Sequence, residues 1–90
     1  GSHTMKHIEW HIDKGFASGS IWDVVVDGNI RGWLLLEMPK QIVKNAYIGN
    51  ASTNMLKWER STQFEGLTKE EAQKAIEVFI QLEDVCTNSM

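Results

Sequence analysis

His7, Glu9 and His11 recur at every second position near the start of the chain, and imidazole–carboxylate–imidazole is a set that could hold a metal ion. In an extended strand, residues two apart share a side and lie about 7 Å from one another. One ion between His7 and Glu9 is therefore conceivable, but His7 and His11, about 13 Å apart on the same rise, are too distant to share it. Zinc takes four ligands, and no Cys/His spacing motif accompanies these three. They read as a solvated strand side with no metal. Asp23, between Trp22 and Val24, is the other residue to weigh: burial would raise its pKa and fit it for general acid–base work. Spacing brings no His or carboxylate beside it, so it reads as a sheet-margin residue or as the partner of a Lys or Arg.

Nucleophiles are weaker still. Ser18, Ser20, Ser61 and Cys86 sit in no strand–turn–helix elbow or other catalytic signature. The seven glycines are scattered without the spacing of a phosphate-cradling loop. Cys86, near a helix C-terminus, would face the negative end of the dipole, which raises a thiol pKa and makes it less reactive. As the single cysteine it cannot form an internal disulfide, which fits a reducing, cytoplasmic setting. The chain is expected to be non-enzymatic and to need no cofactor.

Basic residues interleave with aromatics in the middle of the chain: Lys44, Tyr47, Lys57, Trp58 and Arg60. Such a pattern can track a phosphate backbone and stack bases; the plainer reading makes Tyr47 and Trp58 core and the bases solubilising. The net charge of −3 comes from the C-terminal part. From Glu65 onward the acids Glu65, Glu70, Glu71, Glu77, Glu83 and Asp84 face only Lys69 and Lys74. That balance argues against nucleic acid, whose binders normally carry a basic patch.

These groups need elements to position them. Gly1 to Thr4 read as an expression-tag remnant, residues 5–86 as one domain, and 87–90 as a disordered tail. A chain of 90 residues buries only about 60% of its unfolded surface, which the four Trp and three Phe offset. No apolar run approaches the roughly 18 residues of a spanning helix. "HIEWHID" alternates Ile8, Trp10 and Ile12 against His7, Glu9, His11 and Asp13, the pattern of a half-buried strand. "GFASGS" is a turn.

The stretch Ser20 to Pro39 reads as a hairpin closed at Asp27-Gly28, or at Gly28-Asn29, where a type I′ turn takes positive φ at both centres. With a regular ladder, one face carries Trp22, Val24, Val26, Arg31, Trp33 and Leu35, and the other Ile21, Asp23, Val25, Ile30, Gly32, Leu34 and Leu36. Both faces are largely apolar, whereas a sheet with one wet face alternates cleanly. After Pro39, residues 40–54 admit a short helix over Ile42, Val43, Ala46 and Tyr47, or a strand over Ile42 to Ile48. "MLKWERSTQF" reads as a further strand with Leu56 and Trp58 inward.

The C-terminal element is a helix from Lys69 to about Asp84. Thr68 caps it, Glu71 completes a capping box, and Ala72, Ala75, Ile76, Phe79, Ile80 and Leu82 form its apolar stripe. It is expected to cover the face with Ile30, Gly32 and Leu34, with Gly32 allowing close approach. The face with Trp22, Arg31, Trp33 and Leu35 then needs another cover: residues 40–54, a second copy of the chain, or a foreign partner. Large exposed apolar patches usually mark interaction sites, and Trp and Arg are enriched in interface hot spots.

Three strands, an aromatic-rich turn and then "FEGLTKEEAQKA" resemble the arm-binding domain of phage-type integrases, through Phe64, Thr68, Glu71 and Ala72. The extra Gly66-Leu67 and the absence of basic strands depart from that pattern. The resemblance implies a three-stranded sheet on one helix, with the sheet face entering the DNA major groove.

The expected fold is therefore α+β: an antiparallel three- to four-stranded sheet with one C-terminal amphipathic helix packed on one face. The expected function is a small protein–protein interaction module of adaptor or inhibitor type, with the profile of a phage or mobile-element accessory protein. It would bind another protein or a second copy of itself. Contacts would come from Trp22, Arg31, Trp33 and Leu35, with the acidic helix residues Glu70, Glu77 and Glu83 as a second surface. The alternative is a nucleic-acid binder using Arg31, Lys44, Lys57 and Arg60.

Overall fold

Asp27 and Gly28 both take positive φ, 51° and 87°, and Val26 pairs with Asn29 across them, so the chain reverses at the expected two-residue turn. The computed structural model describes residues 6–49, 58–60 and 62–88. The strands are β1 (Ile8–Phe16), β2 (Gly19–Val26), β3 (Asn29–Glu37), β4 (Ile42–Gly49) and the short β5 (Trp58–Arg60). They pair antiparallel in chain order, β1-β2-β3-β4-β5. One 3-10 turn (Thr62–Phe64) precedes the helix α1 (Lys69–Asn88). This is the α+β arrangement of an antiparallel sheet carrying a C-terminal helix.

Of the two readings after Pro39, the strand is correct. Gln41 N–H bonds the Glu37 carbonyl at 2.7 Å and closes the turn, and β4 then runs beside β3. Residues 42–49 thus extend the sheet and do not lie across it. Residues 50–57, with the inward Leu56 and the candidate Lys57, lie outside the described residues.

The expected faces of the central hairpin are corrected. The ladder is regular at the turn but shifts between Val24 and Val25: Val25 opposes Ile30, Val24 opposes Gly32, and Arg31 is the extra residue. Side chains alternate with a period of two, so one inserted residue inverts everything beyond it. Trp22, Val24 and Val26 therefore share a face with Gly32, Leu34 and Leu36, while Asp23 shares the other with Trp33. Similar shifts add Asp13 between β1 and β2 and Lys44 between β3 and β4.

The core lies on the first of these faces. Val24, Leu34, Leu36, Val43, Ala46 and Ile48 are buried against Phe64, Ala72, Ile76 and Ile80, with Ile8, Trp10, Leu67 and Ala75 at its margin. Ile30, expected beneath the helix, is 44% exposed because the inserted Arg31 leaves it on the other side. Gly32 is required here, but for β4: a Cβ at this position would stand 2.1 Å from the Tyr47 carbonyl oxygen.

Thr68 and Glu71 form the capping box. Glu71 N–H donates to Thr68 Oγ1 at 3.3 Å, and Thr68 N–H donates to Glu71 Oε1 at 3.0 Å. These hydrogen bonds from Thr68, backbone first, hold the Glu71 carboxyl below its ordinary pKa. Upstream, Val43 N–H bonds the Leu67 carbonyl and Gly66 N–H the Val43 carbonyl, both at 2.8 Å, so β4 fixes where the helix begins. The stripe is narrower than its spacing implies. Ala72, Ile76 and Ile80, four apart, are buried, whereas Leu82 is 56% exposed and Phe79 meets Phe64 edge-on at 6.4 Å from a position 40% exposed. The helix runs past Asp84 to Asn88, so its backbone takes in the first two residues of the expected tail. Among the described residues, no helix is long and apolar enough to cross a membrane.

Candidate functional site: the aromatic sheet face

The bulge at Arg31 turns Trp33 away from the helix and into a row that crosses four strands. In register, His11 opposes Asp23, Asp23 opposes Trp33, and Trp33 opposes Tyr47. The Trp33 and Tyr47 rings lie 4.5 Å apart between centroids at 34°, close enough to act as one surface. Ile21, Val25 and Leu35 flank the row, each half-buried, with Ile30 beside Val25. No described element packs over this face.

Asp23 is the charged member at the centre. Burial raises its pKa above the ordinary carboxylate value, Asp13 raises it further, and His11 opposes both. At Asp23 burial and the Asp13 charge thus outweigh the attraction of His11, a penalty that a cationic partner would relieve. Beyond it along β1, Glu9 is held between two imidazoles, 2.6 Å from His7 Nε2 and 2.9 Å from His11 Nε2. Those contacts, His7 first, keep its carboxyl below the ordinary range. One carboxylate spans both histidines, and among the described residues no group of three or more His, Cys, Asp or Glu is placed to hold a metal.

The expected contact residues separate. Trp33 and Leu35 belong to this face. Trp22 does not: it lies on the helix side, where its Nε1–H donates to Ser20 Oγ at 3.1 Å and Lys69 Nζ stands 3.8 Å over its ring. There it floors a groove of about 490 Å³ with Ile12, Phe16, Leu36 and Met38. Arg31 does not either. It is 6% exposed, and its Nε–H donates to the Gly49 carbonyl at 2.7 Å, so the bulge residue crosses under the end of β4 as packing. Its burial also removes it from the nucleic-acid set. Lys44 is exposed at its own bulge, while Lys57 and the Arg60 side chain lie outside the described residues.

The acidic helix residues differ in their surroundings. Glu70 is exposed in the first turn, but Glu77 accepts the Trp10 Nε1–H at 2.8 Å. The Glu83 side chain lies outside the described ones. Two members of the open face, Asp23 and Tyr47, were not joined to Trp33 by sequence reasoning. The signal for Tyr47 was its alternation with Ile48 and Ala46, readable only once residues 42–49 are known to be a strand. Comparison with known proteins finds no family model, no curated protein and no solved structure that matches the chain.

Proposed function

We propose that this protein is a non-enzymatic protein-interaction module, of adaptor or inhibitor type, that binds through the open face of its sheet. The partner we infer presents an arginine or lysine set among apolar groups. One observation carries this reading: among the described residues nothing packs over the Trp33–Tyr47 pair, which lies beside a carboxylate that burial disfavours in its charged form. A guanidinium stacks on an aromatic face and pairs with a carboxylate through a planar fork, and Trp33 and Asp23 offer both on adjacent strands. The flanking Ile21, Val25 and Leu35 supply apolar area around that contact, as the centre of an interface does.

The test is selection of a random peptide library on the wild-type domain, with counter-selection on Trp33→Glu. The expected binders carry a basic residue next to apolar ones and lose affinity for Asp23→Asn. That variant keeps its fold. The raised pKa means that the charged form of Asp23 is penalised in the folded state at neutral pH, a penalty that fades as pH falls through the folded pKa. Asparagine escapes it, so Asp23→Asn is at least as stable as wild type at pH 7. Recovery of acidic binders, or of none that discriminate Trp33→Glu, overturns the reading. So does preferential retention of nucleic acid with affinity falling steeply between about 50 and 200 mM salt.

A further inference from the structure

We propose that the outer edge of β1 is a self-association surface, on which two copies pair β1 to β1 in antiparallel register about a two-fold axis at Trp10.

β1 ends the strand order. The His7 carbonyl accepts from Asp27 N–H at 2.9 Å. Because antiparallel ladders alternate, His7, Glu9 and His11 turn their backbone groups toward β2, and Ile8, Trp10 and Ile12 turn theirs to the open edge. Both ends of this edge are closed. Gln81 holds the Lys6 backbone, donating from Nε2 to the Lys6 carbonyl at 3.0 Å and accepting the Lys6 N–H at Oε1 at 3.1 Å. At the other end, the Asp13 bulge ends the regular ladder after Ile12. The segment left for pairing is Ile8 to Ile12.

That segment is complementary to itself in one register. With Trp10 opposite the partner's Trp10, Glu9 faces the partner's His11 and Ile8 faces the partner's Ile12. His7 also comes opposite the partner's Asp13. Sliding by two residues sets Glu9 against the partner's Glu9 in one direction, or against the partner's Asp13 in the other, and like charges directly opposite are destabilising. Sliding by one would oppose outward backbone groups to inward ones. In the favoured register the three pairs of outward residues exchange two backbone hydrogen bonds each, about six in all.

The helix side of the same edge offers the apolar complement. A groove of about 450 Å³ lies between β1 and α1, lined by Ile8, Val78 and Leu82 among others. Val78 is 49% exposed, Leu82 56% and Ile12 58%. The partner's Ile12, opposite Ile8, enters this groove, and the two-fold repeats the contact on the other side. Each copy has one such edge, so the pairing closes as a dimer and does not propagate.

Sedimentation velocity over a concentration series tests this. The expected species has twice the 10.3 kDa mass of the chain. Ile12→Lys, at an exposed position, is expected to give a folded monomer with an unchanged circular-dichroism spectrum. Glu9→Lys alone and His11→Glu alone are each expected to raise the dimer Kd about tenfold, since every altered pair occurs twice across the axis. Glu9→Lys with His11→Glu restores opposite charges and with them the dimer. A wild type monomeric at every concentration overturns the proposal. So does a dimer indifferent to Ile12→Lys, or a double variant no tighter than the single ones.

Discussion

Gly32→Ala is expected to lower the urea midpoint of the fold severely. The new Cβ would stand 2.1 Å from the Tyr47 carbonyl oxygen and 3.1 Å from both Tyr47 C and Ile48 Cα. Those are backbone atoms of a neighbouring strand in the middle of the sheet, so no rotamer change relieves the contact. Either β3 and β4 separate locally or the Arg31 bulge unwinds. A cost of about 3 kcal/mol or more follows, set against a total stability of roughly 5–13 kcal/mol for a chain of this size. Urea denaturation followed by tryptophan fluorescence checks it. Gly15→Ala is the control, because its Cβ would meet only Ile12 Cδ1 at 3.9 Å. Equal midpoints for the two variants would show that β4 does not approach Gly32 this closely.

Arg31→Ala carries the second large effect, and its target is stability. The side chain is buried and donates from Nε to the Gly49 carbonyl at 2.7 Å. Truncation removes a charge-assisted hydrogen bond and deletes the packing of the aliphatic stem. The expected loss is about 2–4 kcal/mol. Peptides selected on the open face should bind the folded fraction of Arg31→Ala with unaltered Kd, whereas Trp33→Ala should lose them. A melting temperature unmoved by the substitution would return Arg31 to the exposed surface that sequence alone suggests for it.

Arg31 also marks where reading the sequence stops. The helix was legible because capping box and spacing agree: Thr68 and Glu71 pair as the motif requires, and Ala72, Ile76 and Ile80 are buried. β1 was legible because polar and apolar residues alternate, and the Asp27-Gly28 turn because few residue pairs tolerate two positive φ values. The central hairpin carries apolar residues on both sides, so nothing in its pattern registers one inserted residue. Trp22, Val24 and Val26 could face either Trp33 and Leu35 or Leu34 and Leu36 with equal apolar match. Only the bulge decides, and a bulge is a property of two strands together. A regular ladder accordingly predicts Trp22 and Trp33 on one face, whereas the molecule divides them between two. Phe79 and Leu82 fit the helical period but lie where the sheet does not reach.

The two hydrogen bonds between Lys6 and Gln81 have a kinetic consequence. They join residues 75 apart in sequence, whereas every strand pairing links neighbours along the chain. Closing so long a loop in the unfolded chain is entropically costly, but once the meander has formed its strands have already brought the two ends near each other. The tie is therefore expected to form after the rate-limiting step and to act as a latch on the finished molecule. Interactions absent from the transition state govern how fast a protein opens and leave the speed of folding almost untouched. Gln81→Ala should steepen loss of the native state in stopped-flow unfolding while the refolding limb stays in place. A slowed refolding limb would instead put the joining of first strand and last helix at the start of the pathway.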